Sequence, residues 1–189
     1  MKLESPFTEG KIRALKVGDA VEIHGVLFTG RDAVHKYIHE GGTLPSKVNL
    51  HDGILYHCGP VVLKEKGRWK VTAAGPTTSI REEPYQHEII RKLGIRGVIG
   101  KGGMGDKTLA ACKEHGCVYL HAVGGAAQVL ADCVKEVLDV YMMKKFGAPE
   151  AIWKLRVENF QVVVTMDSHG NSLHREIFAK SQAELAKYL

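Results

Sequence analysis

A glycine-rich loop lies between a short apolar run and a helical pattern, and it limits both the local fold and the kind of ligand that this segment can bind. The run GVIG ends at Gly100, the loop KGGMG follows, and DKTLAACKEHG has helical periodicity. Glycine lets the backbone approach a ligand closely, and the free amides and dipole of a following helix favour a negative group. The segment 97–108 therefore predicts a strand, a turn and a helix that bind a small anion, with Lys101 as the cation.

Two nucleotide-binding patterns are nearly present in this loop. Gly100, Gly102 and Gly105 match the dinucleotide fingerprint, but the following strand ends in HAVGG instead of the acidic residue that would hold a ribose. The P-loop pattern fails because Asp106 separates Gly105 from Lys107. A nucleotide site and a purely structural turn are the alternatives to a small-anion site.

The alternation of strand and helical patterns around the loop predicts parallel βαβ units in a single α/β domain. Upstream, we expect two short strands around Gly25, a helix from about residue 31 to residue 40, and three short strands between residues 54 and 76. Downstream, Gly124 opens a helical pattern that we interpret as one long helix through Phe146. The remaining predicted elements are a short helix from Ala148 that carries Trp153, a strand at 159–167 and a loosely attached C-terminal helix at about 176–189.

Two further segments place arginine beside short polar residues. GPTTSIRE, residues 75–82, brings Thr77 and Arg81 together after a predicted strand. A guanidinium fork flanked by hydroxyl groups suits a planar carboxylate, and the alternative is a turn whose hydroxyls satisfy backbone amides. Arg31, at a predicted helix start, adds a third cation, with a surface ion pair to Asp32 as its alternative.

The charge balance indicates an anionic partner. The 189 residues include 26 Lys and Arg against 21 Asp and Glu, a formal net charge of +5. The basic residues are scattered and are not interleaved with aromatic side chains, so we expect no nucleic-acid partner. No stretch reaches about 18 apolar residues, and the opening MKLESPFTEG has no apolar run. We therefore expect a cytoplasmic protein with no membrane partner.

The cysteines and histidines show no metal-ligand spacing. The four cysteines are predicted to be reduced, buried thiols, and no pair has the C-x-x-C spacing of a zinc or redox site. His35 and His39 are four residues apart on a predicted helix but have no third ligand in view. We therefore expect no metal site in this chain. The cysteines are Cys58, Cys112, Cys117 and Cys133.

Five segments, read in chain order, resemble one family. They are TGRDAVH, AGPTTSIR, KGGMG, HAVGGAA and AIWKLRVENFQVVVTMD, and they span most of residues 10–170. Together they are similar to the β subunit, or the equivalent C-terminal domain, of the iron–sulfur-dependent hydro-lyases that include class I fumarate hydratase and L(+)-tartrate dehydratase. The resemblance implies one domain over residues 1–189, with a swivelling β/β/α three-layer architecture and a partly parallel sheet.

The resemblance also implies an active site shared with an α subunit. In the family, the α subunit holds a 4Fe-4S cluster whose open iron acts as a Lewis acid on the departing hydroxyl. None of the cysteines of this chain lies in a matching ligand motif, so the cluster is expected on the α subunit, in a heterotetramer of two α and two β chains. The residues implied to bind the dicarboxylate substrate are Arg31, Arg81, Lys101, Gly102 and Gly103, and the residues implied to be catalytic are Thr77 and Lys101.

The role of Thr77 and the reach of Arg81 stay open. Thr77 matches the position that the family assigns to the base, but an unperturbed threonine hydroxyl is a poor base, so an orienting role is the alternative. Glu82 and Glu83 follow Arg81 where the family more usually has an apolar residue. Either carboxylate could pair with Arg81 and change its reach.

The leading hypothesis is a β subunit that takes part in the reversible hydration of fumarate to malate, a step of the TCA cycle, and is inactive without its α subunit. L(+)-tartrate or a methylated fumarate would use the same cations, because one hydroxyl or methyl group gives only a small discrimination. A non-catalytic module that binds small anions is the alternative from another class.

Overall fold

The structure, a computed structural model, describes residues 1–188, in which there are nine strands, seven α-helices and two short 3-10 helices. The strands are β1 Lys2–Glu4, β2 Ala20–Thr29, β3 Ile54–Tyr56, β4 Val61–Glu65, β5 Arg68–Ala73, β6 Gly97–Gly100, β7 Val118–His121, β8 Val134–Tyr141 and β9 Ile152–Met166. The helices are α1 Glu9–Arg13, α2 Asp32–His39, α3 Glu83–Leu93, α4 Asp106–His115, α5 Ala127–Asp132, α6 Met143–Phe146 and α7 Leu173–Leu185. The 3-10 helices are Ser79–Glu82 and Ala148–Glu150.

Seven strands form one mixed sheet in the order β1-β2-β3-β6-β7-β9-β8, and β4 pairs with β5 in a separate hairpin. Strands β1, β2, β3, β6 and β7 are parallel to their neighbours in this series. Strand β9 runs antiparallel to β7 and β8 and also to β2, so the sheet closes on itself. The predicted α/β fold with a partly parallel sheet is confirmed.

Apolar side chains fill both faces of the main sheet, because successive residues of a strand point to opposite faces. Ile54 and Tyr56 belong to one core cluster, together with Val71 of the hairpin and Leu130 of α5. Leu55, between them in the chain, belongs to a second cluster with side chains of α2, α3 and α4. Hairpin, sheet and helices are therefore stacked as three layers.

The long helix predicted from Gly124 to Phe146 is wrong. The segment forms the short helix α5, then strand β8, then the short helix α6. Strand β8 pairs with β9 through two register shifts, each of which places an extra residue in β8. The shifts leave Val134, Val137 and Val140 half-buried, and this spacing of three has the appearance of a helical pattern in the sequence.

The predictions for the C-terminal part are confirmed in part. Trp153 lies in β9 and not in the short helix before it, because β9 begins at Ile152. Trp153 is fully buried, and its Nε1 donates to Ala148 O at 2.9 Å. Helix α7 has no buried residue, as expected for a loosely attached helix. Leu189, the last residue of the predicted helix, lies outside the described residues.

The other predicted elements agree with the structure within a few residues, with two exceptions. The strand predicted at 159–167 begins at Ile152. Gly25 marks a register shift within the single strand β2, where two strands were expected. Helix α2 begins at Asp32, with Arg31 as its N-cap residue. Among residues 1–188, no helix combines the length and the apolar character needed to cross a bilayer.

Candidate active site

The carboxyl ends of the parallel strands β2, β3, β6 and β7 meet at one edge of the sheet, the place where ligands bind in many α/β folds. Arg31 comes shortly after β2, His57 directly after β3 and Lys101 directly after β6, and His121 is the last residue of β7. The fold therefore brings the predicted residues Arg31 and Lys101 to the same edge.

Backbone hydrogen bonds hold the segment 77–79 at this edge. The Thr77 N–H donates to His57 O at 2.7 Å, and the Lys101 N–H donates to Thr77 O at 3.2 Å. The Ser79 N–H in turn donates to Lys101 O at 3.0 Å. Thr77, which is half-buried, consequently lies beside Lys101.

Asp32 connects the two predicted arginines. Its Oδ2 lies 2.6 Å from Arg81 Nη2 and 3.9 Å from Arg31 Nη2. Arg31 Nε also lies 3.3 Å from Glu150 Oε1. The Arg31 side chain is only 22% exposed, so its position is well defined, whereas the Arg81 side chain is 52% exposed. Because an exposed ion pair contributes little stability, Arg81 can exchange Asp32 for another carboxylate at a small cost in free energy.

Lys101 carries a positive charge that no ion pair within the described residues compensates. Its side chain is half-buried, and Cδ lies 3.6 Å from the position that a Cβ on Gly124 would take. None of the ion pairs within residues 1–188 involves Lys101, whereas Arg31 and Arg81 are both paired. An ammonium group that has no ion-pair partner within residues 1–188 is suited to binding a carboxylate.

The N-terminus of α4 is occupied by a side chain of the protein itself. The Glu83 carboxylate accepts hydrogen bonds from Gly105 N–H at 2.8 Å and Lys107 N–H at 3.0 Å, and from Thr108 N–H at 3.3 Å and Oγ1 at 2.6 Å. The helix dipole favours a carboxylate at this position. The prediction that these helix amides bind an external anion is therefore wrong, because Glu83 already supplies the anion.

Close packing explains two glycines of the loop. Gly103 has a φ of +78°, and a Cβ there would lie 2.5 Å from His174 Cδ2. A Cβ on Gly100 would lie 1.8 Å from Ser79 Oγ. Gly102, with a φ of +80°, is exposed, and a Cβ there would meet only Thr78 Cγ2, at 3.8 Å, among the described residues, so its backbone is open to a ligand.

Glu82 is a fully buried carboxyl group that sequence analysis did not identify as unusual. Within the described residues neither oxygen has a hydrogen-bond partner, and Oε2 lies 3.6 Å from His35 Nδ1. Burial and the nearby Asp32 raise the pKa of Glu82 to about 8, and Arg81 acts in the opposite direction. Glu82 is therefore protonated at neutral pH. Glu82 and Glu83 were two carboxylates that could pair with Arg81, but within residues 1–188 the ion-pair partner of Arg81 is Asp32.

Two histidines at the carboxyl edge were also missed. His57 is fully buried, with Nδ1 2.9 Å from Ser79 Oγ and Nε2 2.9 Å from Gln86 Oε1. His121 is half-buried, and within residues 1–188 its Nδ1 has no partner. Burial lowers the pKa of both rings. His121 begins the segment HAVGGAA, whereas His57 lies outside all five segments, and the signal in the sequence for both was a position at the end of a predicted strand.

The cysteines do not converge on a site for an iron–sulfur cluster. All four are free; Cys58, Cys112 and Cys117 are buried, as predicted, and Cys133 is half-buried. Burial raises the pKa of Cys58 to about 12, which disfavours a thiolate ligand there. Over residues 1–188, no three His, Cys, Asp or Glu side chains are arranged to hold a metal ion. The residues present do not fit a 4Fe-4S cluster.

Comparison with known proteins identifies relatives over most of the chain. Residues 1–177 match the family model described as the fumarase C-terminus. A protein of Geobacillus stearothermophilus named putative fumarate hydratase class I is 59% identical over 98% of this chain and 36% of its own length. A protein of Methanocaldococcus jannaschii named putative L(+)-tartrate dehydratase subunit beta is 40% identical over 94% of this chain and 93% of its own. The Escherichia coli K12 protein named L(+)-tartrate dehydratase subunit beta is 33% identical over 94% of this chain and 90% of its own length.

The three relatives differ in how much of their length the chain spans. It covers 36% of the Geobacillus protein, but 93% and 90% of the two proteins named subunit beta. The family match covers more than half of the chain and includes all five segments that carry the sequence resemblance. The chain therefore belongs to the fumarase C-terminus family.

Proposed function

We propose that this chain is the component of a hydro-lyase that binds the carboxylates of its substrate, and that the reaction is the reversible hydration of fumarate to malate. The observation that carries the proposal is that Arg31, Thr77 and Lys101 lie at the carboxyl edge of four parallel strands, with Arg81 linked to Arg31 through Asp32. The 59% identity to a protein named putative fumarate hydratase class I supports fumarate as the substrate.

The charges at this edge suit the chemistry of such a reaction. Removal of a proton from the carbon beside a carboxylate places additional negative charge on that carboxylate. Lys101 is unpaired within residues 1–188 and Arg31 is largely buried, so both supply positive charge that is already in place when the negative charge develops. A second substrate carboxylate can replace Asp32 as the partner of the exposed Arg81.

We assign Thr77 the role of orienting the substrate. A threonine hydroxyl removes a proton only when a neighbouring group lowers its pKa or accepts its proton. Its position beside Lys101 is suited to donating a hydrogen bond to a substrate carboxylate. The alternative, that Thr77 is the base with help from a residue of a partner, makes a different prediction for the Thr77→Val variant, given in the Discussion.

We propose that an α component holds the 4Fe-4S cluster expected for the family, because the described residues of this chain do not fit one. The word subunit in the names of two relatives supports a partner chain. One side of the carboxyl edge is open to solvent at Thr78, Gly102 and Gly124, and a partner could complete the site there. An assembly of two α and two β chains and a cytoplasmic location stay predictions.

L(+)-tartrate is the second candidate substrate. The observation that favours it is that the chain spans 93% and 90% of the two relatives whose names give that activity, with 40% and 33% identity. L(+)-tartrate and malate, the hydrated form of fumarate, differ by one hydroxyl group and can use the same three cations, so the structure of this chain supports both.

The experiment is to measure the turnover of fumarate and of L(+)-tartrate by the chain assembled anaerobically with its cluster-bearing partner. We expect Lys101→Met to lower kcat by about 100-fold or more, the usual effect of removing one preorganised donor. The control is Lys107→Met, at an exposed position in the first turn of α4. Equal activities of the two variants would contradict the role of Lys101. The ratio of the kcat/KM values for fumarate and L(+)-tartrate ranks the two substrates.

A further inference from the structure

A chain of buried polar side chains runs beneath the candidate active site. His35 Nδ1 lies 2.8 Å from Arg31 O, and the Nε2 atoms of His35 and His57 each lie 2.9 Å from Gln86 Oε1. His57 Nδ1 lies 2.9 Å from Ser79 Oγ, which also accepts the Tyr119 hydroxyl at 2.9 Å. The fully buried members of this polar chain are, in order, His35, Gln86, His57, Ser79 and Tyr119.

The polar chain joins the three segments that carry the proposed site residues. One end is the backbone carbonyl of Arg31 itself. Near the other end, Ser79 lies two residues after Thr77, and its N–H donates to Lys101 O at 3.0 Å. Ser79 Oγ also packs so closely on Gly100 that a Cβ there would lie 1.8 Å from it. A shift of Ser79 would therefore move the Thr77 segment relative to Lys101.

The orientation of the Gln86 amide decides which ring atoms carry protons. The oxygen and nitrogen atoms of a carboxamide are nearly the same size, so the amide fits in either of two orientations. The orientation is assigned by matching each hydrogen-bond donor around it with an acceptor. With the oxygen toward both rings, both Nε2 atoms must be protonated. His35 would then be a buried imidazolium, because its Nδ1 faces the Arg31 carbonyl, and the Gln86 nitrogen would have no acceptor within the described residues.

With the amide nitrogen toward both rings, the donors of the two rings and of the amide are all satisfied without charge. The two N–H groups of Gln86 donate to the two Nε2 atoms, His35 Nδ1–H donates to Arg31 O, and His57 Nδ1–H donates to Ser79 Oγ. Every ring and amide donor then has an acceptor. The nearby carboxyl of Glu82 is itself neutral at neutral pH, because burial raises its pKa to about 8, so it requires no cation beside it. Burial of an uncompensated charge is costly, which favours this arrangement.

We propose that His57 is a positioning residue: as a neutral ring with its proton on Nδ1, it uses its bonds to Ser79 and Gln86 to fix the Thr77 segment relative to Lys101 and Arg31. The catalytic consequence rests on the proposed function. The proton positions and the position of the Thr77 segment are properties of the chain alone, so they are tested separately.

The first test is long-range proton–nitrogen NMR of the full chain, with the His57 signals assigned from their loss in a His57→Gln variant. We expect a protonated Nδ1 and an unprotonated Nε2 in both His35 and His57, unchanged between about pH 6 and about pH 8, where a free imidazole titrates. A His35 ring protonated at both nitrogens, or a His57 proton on Nε2, would overturn the proposal.

The second test compares two conservative variants. His57→Asn keeps a polar group near the Nδ1 position that faces Ser79, whereas His57→Gln places its amide near the Nε2 position that faces Gln86. In the full chain, we expect the backbone amide signals of Thr77 and Lys101 to shift more in His57→Gln than in His57→Asn, because only His57→Asn keeps a polar group facing Ser79. Unchanged signals in a folded His57→Gln variant would overturn the proposal.

In the assembled enzyme, we expect His57→Gln to lower kcat/KM by about 100-fold and His57→Asn by less than about tenfold, because misplacement of about 1 Å has effects of this size. Thermal unfolding of both variants measures any general loss of stability. Equal activities of the two folded variants contradict a positioning role. If the wild-type assembly turns over neither substrate, the proposed function fails, while the NMR results still decide the position of His57.

Discussion

Replacement of Glu83 by alanine removes the acceptor of the hydrogen bonds at the N-terminus of α4. Thr108 is buried, so its N–H and hydroxyl are left without a partner, at about 1 kcal/mol or more each. The N–H groups of Gly105 and Lys107 can bond to water, but the favourable interaction of the carboxylate with the helix dipole, about 0.3–1 kcal/mol, is lost. We therefore expect Glu83→Ala to lower the free energy of unfolding by about 3 kcal/mol.

Urea unfolding of the chain, followed by circular dichroism, measures this loss. For a domain of this size it corresponds to a fall in Tm of about 6–12 °C. Glu114→Ala is the matched control, because Glu114 lies near the other end of the same helix and its side chain is 75% exposed. Glu83→Gln keeps one acceptor oxygen and should lose about half as much. A loss below about 1 kcal/mol, or one equal to that of the control, would refute the reasoning.

Three further predictions follow from individual contacts. Gly100→Ala should lower the free energy of unfolding by about 1–3 kcal/mol, because the new Cβ would lie 1.8 Å from Ser79 Oγ. Gly10→Ala is the control, since a Cβ there has nothing within 4 Å, and equal stabilities of the two variants would contradict the predicted clash. The pKa of Glu82 is about 8 in the folded chain, above its unfolded value, so the folded state binds the proton more tightly. The free energy of unfolding of the wild type should therefore fall relative to that of Glu82→Gln as the pH rises from about 5 to about 8. A difference between the two free energies, measured by urea unfolding, that stays constant with pH would contradict this. Thr77→Val should weaken substrate binding if Thr77 orients the substrate, whereas loss of proton exchange with solvent at unchanged binding would identify it as the base.

Local periodicity predicted most helices and strands, because their patterns are short-range properties of the chain. Helix α4 and strand β6 follow from the alternation of apolar residues around the glycine loop. Strand β8 was not predicted, because its two register shifts give half-buried valines a spacing of three. That spacing depends on the pairing with β9, which the sequence of β8 alone does not contain.

The candidate active site was predicted in part. Arg31 and Lys101 were identified as cations beside predicted turns, and the parallel strands bring them to one edge. The role of Glu83 was missed because its hydrogen-bond partners lie at the start of α4, about 20 residues further along the chain. Only the packing of α3 against α4 brings Glu83 to them. His57 and Gln86 were missed for the same reason, since each contacts residues from other elements.

The most direct test of the proposed function is the anaerobic rate of fumarate hydration by this chain alone, by its cluster-bearing partner alone, and by the two together. We expect turnover only in the mixture, because we propose that the cations of the carboxyl edge and the cluster are on different components. No turnover in the mixture, with the cluster of the partner verified intact and with L(+)-tartrate also tested, would contradict the catalytic role. In that case the unpaired Lys101 would mark a module that binds small anions.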